Sequence, residues 1–234
     1  MGKQNPYKKW VGLFAILLLP TVIFMFLETG KNVYEKLEIL YPLEKGEKHH
    51  TIPDFRFVNQ NGADIQKKDL KGKVWAANFF FTTCPSICPV MNNNLLRVQK
   101  EVEKKYSGAD FKIVSFTVNP EHDTVAVLKT YAEELGANTK SWHFLTGKKE
   151  EIYSLAHKGM FLGAATDPTA EGGFLHSESI VIVDKEGRIR SGKDKNGNPR
   201  AVYNATSDVE IKDLTNDILH LLAEYEMEFK NNKK

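Results

Sequence analysis

Residues Val74 to Phe81 read VWAANFFF, eight positions with one polar side chain, bounded by Gly72 before and by Pro85 and Pro89 after. An apolar run this short is a strand, and a strand without polar alternation is covered on both faces. Such a strand needs a layer above and a layer below. That requirement selects an α/β architecture over a sandwich with one wet face.

The flanking segments supply the layers. Phe55, Phe57 and Ile65 surround Asn59-Gln60-Asn61-Gly62, a hairpin signal with Asn-Gly at its turn. After Pro89, Val90, Leu95, Val98 and Val102 recur at near-helical spacing to Tyr106, and Ser107-Gly108 closes the helix. Phe111–Val118 reads as a strand. Asp123 is placed to cap a helix over Thr124–Leu135, which Gly136 ends. Trp142–Leu145 is a short strand, Glu150–His157 a helix and Ser179–Asp184 a strand that turns through Lys185-Glu186-Gly187 into Arg188–Arg190. Ser207 with Glu210 forms a capping box for a last amphipathic helix to about Phe229. The expected sheet therefore mixes parallel and antiparallel strands.

The 234 residues, 41% of them hydrophobic, suffice for one domain with a substantial core. Net charge is +2 from 32 basic and 30 acidic residues, with no basic block to hold nucleic acid; the lysines at 230, 233 and 234 read as a solvated end. Trp10–Leu27, WVGLFAILLLPTVIFMFL, has no charge. As a helix it would be about 27 Å long, close to the hydrocarbon thickness of a bilayer, with Pro20 as a tolerable kink. Lys3, Lys8 and Lys9 precede it and mixed charges follow, which puts residues 1–9 in the cytoplasm and the rest outside. A cleaved signal peptide is the competing reading. No A-x-A site follows Leu27 and the run is long for a signal, so an uncleaved anchor is favoured. Residues 1–55 hold no arginine, which argues against a mitochondrial transit peptide and for a bacterial inner membrane with a periplasmic domain. The expected division is then cytoplasmic 1–9, membrane 10–27, a polar tether 28–51 and a folded domain 52–230.

Cys84 and Cys88 are the only cysteines, set where the central strand hands over to a helix. The positive end of the helix dipole is expected to lower their thiol pKa values. Spacing of four brings both sulfurs to one side of the first turn. Three readings follow: a structural disulfide, a redox dithiol, or half of a metal site for a soft ion such as Cu(I) or zinc. A disulfide would close too short a loop to stabilise much, and redox dithiols of this architecture generally use C-x-x-C. The spacing does not separate redox chemistry from metal binding. A metal site needs another ligand. His49 and His50 read as tether residues, and His122, His143, His157 and His220 as surface or cap residues. His176 stands apart in GGFLHSES, directly before the strand at Ser179.

FFFTTCPSICPVM, NPEHDTVAVLKTYAEEL at 119–135, WHFLTG at 142–147 and FLHSESIVIVDKEGRI at 174–189 together resemble the Sco/SenC family of copper-binding proteins, over roughly Pro53 to Leu222. The resemblance implies a thioredoxin-like domain and one copper ion on Cys84, Cys88 and His176. It implies a membrane-anchored metallochaperone, rather than an enzyme, for the copper A site of cytochrome c oxidase. Such a protein takes copper from a donor protein and either delivers it or keeps that site's cysteines reduced. A tethered thiol–disulfide oxidoreductase is the alternative, with Cys84 and Cys88 as its redox disulfide, and a peroxidase a weaker third. Three features are particular to this chain: Asn119 stands where the family often has Asp, Gly192–Pro199 looks inserted, and Ala164–Gly173 is expected to carry His176 towards and away from the thiols. Met91 is assigned to core packing rather than to copper.

Overall fold

The computed structural model describes residues 18–22, 37–40, 49–106, 110–166, 174–176 and 178–231. The chain forms two compact units, Met1–Glu35 and Lys36–Lys234. In the first, residues 18–22 are helical and expose Leu18, Leu19 and Val22. Most of the span Trp10–Leu27 lies outside the described residues, among which no helix is long and apolar enough to cross a membrane.

The second unit is built on one sheet. Its strands are β1 (Glu38–Ile39), β2 (Arg56–Asn59), β3 (Asp64–Gln66), β4 (Val74–Phe80), β5 (Phe111–Thr117), β6 (Trp142–Thr146), β9 (Ser179–Val183), β10 (Ile189–Ser191) and β11 (Tyr203–Asn204). They run in the order β1-β10-β9-β4-β5-β6-β2-β3, with β11 also on β9. β7 (Ala164–Thr166) and β8 (Phe174–His176) form a separate ribbon. β4, β5 and β6 are parallel, whereas β9 lies antiparallel to β4.

Every residue of β4 is buried, as its apolar run requires. On one face Phe79 stacks on Phe116, whose ring also meets Phe55 and Phe57 edge-on. On the other, Phe80 meets Tyr131 and Phe144 beneath helices α1 (Ile87–Glu103) and α2 (Val125–Leu135). Each such buried aromatic contributes about 1.5–3 kcal/mol by transfer. α3 (Lys149–Ser154) continues into a wider π-type turn, Leu155–Gly159, so the helix expected to His157 widens after Ser154. α4 (Asp208–Asn231) packs on α1.

Four local expectations change. α1 starts at Ile87, before Pro89, because a proline without N–H costs nothing in a first turn. That start fixes the helix phase: Met91, Leu95, Val98 and Val102 are inside, whereas Val90 is 47% exposed. The cap of α2 is Thr124, whose hydroxyl accepts from the Val127 N–H; Asp123 is turned into the core. The capping box of α4 is only half formed, with Ser207 Oγ accepting from Glu210 N while the Glu210 carboxylate accepts from Asn204 N. Within the stretch expected as tether, residues 37–40 join the sheet: β1 pairs with β10, and the buried Arg190 donates to Leu37 O at 2.7 and 3.1 Å. Gly136 ends α2 at φ +72°, as anticipated; Ser107 and Gly108 lie outside the described residues.

Candidate metal centre

β4 delivers the chain to the site. After Phe80 the backbone turns, with Cys84 N donating to Phe81 O at 3.3 Å, and α1 begins at Ile87. Cys84 sits in this turn and Cys88 in the first turn of the helix, where its N–H donates to Cys84 Sγ at 3.4 Å. Neither is in a disulfide, and they are 6% and 1% exposed. The four-residue spacing therefore produces a sulfur pair, as the sequence requires.

The electrostatics differ from expectation. Burial pushes the Cys88 thiol well above its ordinary value, Cys84 and the Asp123 carboxylate add to it, and a backbone hydrogen bond at Phe81 opposes it. Loss of water around a thiolate outweighs the helix dipole here. Metal-free Cys88 is accordingly a protonated thiol. A bound ion has to displace that proton.

Behind the sulfurs stands a polar scaffold that the sequence reading missed. The Asp123 carboxylate, fully buried, accepts from Thr82 N at 3.1 Å and from the hydroxyls of Thr82 and Thr117, and it lies 2.9 Å from His122 Nδ1. It thus holds the strand end two residues before Cys84. Asn92, one turn beyond Cys88, donates to Tyr131 Oη at 2.7 Å, and burial with the nearby thiols raises the Tyr131 phenol to about 12. The signal for Asp123 was its neighbour: Thr124 suffices as a cap, which leaves the aspartate for another task. Asn119 takes part through its backbone, its carbonyl accepting from the N–H groups of His122 and Asp123.

His176 closes β8, with Ala164 opposite in β7. Its side chain lies outside the described residues, as do residues 167–173 of the expected moving loop. The backbone route is informative all the same. β9 pairs antiparallel with β4, Val181 opposite Ala77, so Ser179 enters at the end of β4 from which the cysteines leave. His176 is three residues upstream of that point. Among the described residues no three His, Cys, Asp or Glu side chains are grouped to hold a metal ion.

The SCO1/SenC family profile matches residues 44–209. This chain belongs to the SCO1/SenC family. The SCO1 protein homolog of Bacillus subtilis is 35% identical over 156 residues, covering 66% of this chain and 78% of its own. Among solved structures, BsSco, described as a Sco-family cytochrome c oxidase assembly protein with a disulfide switch, superposes with a TM-score of 0.62 at 29% identity. That match covers 76% of this chain and 96% of BsSco. Arabidopsis thaliana ScoI, solved with copper bound, gives 0.57 at 25% identity over 74% and 98% of the two chains. The Sco fold here is the expected mixed, thioredoxin-like α/β domain.

Proposed function

We propose that this protein binds one copper ion through Cys84, Cys88 and His176 and serves the copper A site of cytochrome c oxidase during its assembly, from a membrane anchor at Trp10–Leu27 with residues 52–230 on the periplasmic side. The observation that carries the reading is the sulfur pair at the mouth of the central strand. Two soft donors side by side, both sheltered from water, suit Cu(I) better than any hard cation. The imidazole adds a borderline donor that also tolerates Cu(II). The ion would supply Lewis acidity and one-electron chemistry; the chain contributes the thiolates, their shielding and a fixed strand end. A three-ligand site leaves copper open to an acceptor's ligands, which suits delivery. A copper donor protein and the oxidase subunit bearing copper A are its expected partners.

A second reading has its own support: the same closeness of Cys84 and Cys88 lets them close a disulfide, so the pair could keep the acceptor's thiols reduced. One experiment addresses both. Thermal unfolding of reduced and oxidised protein is followed with and without Cu(I), without oxygen. Ligand binding to the native state stabilises by about 4 kcal/mol when free metal exceeds Kd a thousandfold. A clear upward shift in the reduced form and little in the oxidised one is expected. Cys84→Ser and Cys88→Ser should abolish the sulfur-to-Cu(II) charge-transfer band, and His176→Ala should change it. Equal shifts in both redox forms would refute the copper site and favour the dithiol.

A further inference from the structure

We propose that Glu178 is a positioning residue for the copper site, tying the segment that carries His176 to the helix that carries Cys88. The proposal rests on the copper reading above and adds what holds its third ligand in place. The tie is a run of hydrogen bonds between residues far apart in sequence. Ala205 N donates to Glu178 O at 2.7 Å, and Asn94 Nδ2, on α1 with Cys88, donates to Ala205 O at 2.9 Å. Ala205 is fully buried and so joins the two segments out of reach of water. The Glu178 side chain makes a second attachment. Its Oε1 accepts from Asn204 Nδ2 at 3.0 Å, and its Oε2 lies 3.3 Å from Thr206 Oγ1. Both amide orientations follow from their other partners. Asn204 Oδ1 accepts from Thr206 N at 2.8 Å and Asn94 Oδ1 from Arg97 Nη1 at 3.0 Å, which leaves each Nδ2 to make the contact described.

Position gives this tie its consequence. β11 pairs with β9, Asn204 opposite Ser179, and the Ala205–Glu178 bond extends that pairing one residue beyond the strand. His176 comes two residues earlier in the chain, at the end of the short β7–β8 ribbon, which is separate from the main sheet. Two residues reach at most about 7 Å, so a fixed point at Glu178 bounds where the His176 backbone can lie. The backbone bonds of the pairing would form with any side chain at 178. The carboxylate adds a second attachment, which stops the segment pivoting about the first. A ligand on an arm already held in place loses less freedom when it meets the metal, which is why removing such outer partners weakens metal binding.

The test is competition for Cu(I) between bicinchoninate and the reduced full chain in detergent, without oxygen. Glu178→Ala should weaken copper affinity about tenfold. Glu178→Gln keeps an oxygen for Asn204 Nδ2 and should restore most of that loss; a Gln variant as weak as Ala would overturn the tie as described. The decisive measurement repeats Glu178→Ala in a His176→Ala chain, where it should have no further effect, because both changes act through one ligand. The same tenfold loss in that background would make Glu178 a general support of the fold and overturn the proposal, as would wild-type affinity in Glu178→Ala alone. Should Glu178→Ala fail to fold, Asn204→Ala cuts the tie from its other side and is read by the same comparison. The copper reading fails separately. Wild-type protein that takes up no Cu(I), or His176→Ala with wild-type affinity, would overturn that reading and this proposal with it. A loss in His176→Ala beside an unaffected Glu178→Ala removes the part of Glu178 alone.

Discussion

Arg190→Met tests how the second unit holds its N-terminal strand. Arg190 is 1% exposed and bonds Leu37 O twice; it also lies 3.3 Å from Asp184 Oδ2 and 3.4 Å from Glu224 Oε2. Methionine keeps most of the aliphatic volume and removes the charge. Asp184 is not stranded by the change, since it retains Arg188 Nε at 2.8 Å and the N–H groups of Glu186 and Arg188 at 3.0 and 2.9 Å. The loss therefore falls on Leu37 O and on the Glu224 carboxylate, and relief of the guanidinium's desolvation offsets part of it, leaving about 2 kcal/mol. Asp184→Ala is the harsher cut. It removes one acceptor from each of two guanidinium groups and two backbone N–H groups, costing about 4 kcal/mol. At roughly 2–4 °C per kcal/mol for a domain of this size, calorimetry of reduced, metal-free protein should read about 6 °C and about 12 °C lower. Hydrogen exchange should separate the variants too, the Leu40 N–H that donates to Ile189 O being released first in Arg190→Met. An Arg190→Met melting point as low as that of Asp184→Ala, or unchanged, would refute this account.

Acid should weaken the fold through His143 on β6. Burial, with Lys112 and Lys73 nearby, holds its pKa down at about 4, so it is neutral when folded, while the unfolded chain takes a proton near pH 6.5. Its stability contribution is complete above pH 6.5 and lost as pH falls towards 4, about 3 kcal/mol in all; urea midpoints of His143→Gln should depend less on pH across that window, and an identical slope would refute the assignment. Gly192→Ala should cost about 2 kcal/mol, because an added Cβ would run into Asp217 Oδ2, the oxygen that accepts from Tyr203 Oη at 2.6 Å. A melting point equal to wild type would show that Asp217 moves aside freely.

What the sequence disclosed was set by how local each cause is. VWAANFFF names its own burial, Asn-Gly its own turn, and Gly136 its own helix end. The two cysteines were legible because spacing alone puts both sulfurs at one helix start. The phase of α1 was harder, since Pro89 can either precede a helix or occupy its first turn, and the choice moves Val90 off the apolar stripe and outward, while Met91 is in the core as expected. β1 was invisible because its partners lie 153 residues away, at Arg190. Asp123 was misread for a related reason: its nearest use is as a cap, and the use the fold makes of it depends on Thr82, 41 residues upstream. The Cys88 thiol went the other way from expectation because burial is a property of the assembled core, whereas the helix dipole can be seen in the chain.

The pairing of Glu38 with Ser191 also orders events in time. Closing a loop of this length costs roughly 4 kcal/mol in chain entropy, against about 3 for the loop that brings β4 onto β5. β4, β5 and β6 can assemble as soon as each is made, β9 must wait for the hairpin ribbon, and the strand synthesised earliest docks last. Until it does, the outer side of β10 is a row of unused N–H and C=O groups. Such an edge recruits whatever strand is at hand, including the same segment of a second copy. Residues 37–40 therefore act as a seal. A version of the domain beginning after Leu40 would keep its sulfur pair and lose its protection against self-association.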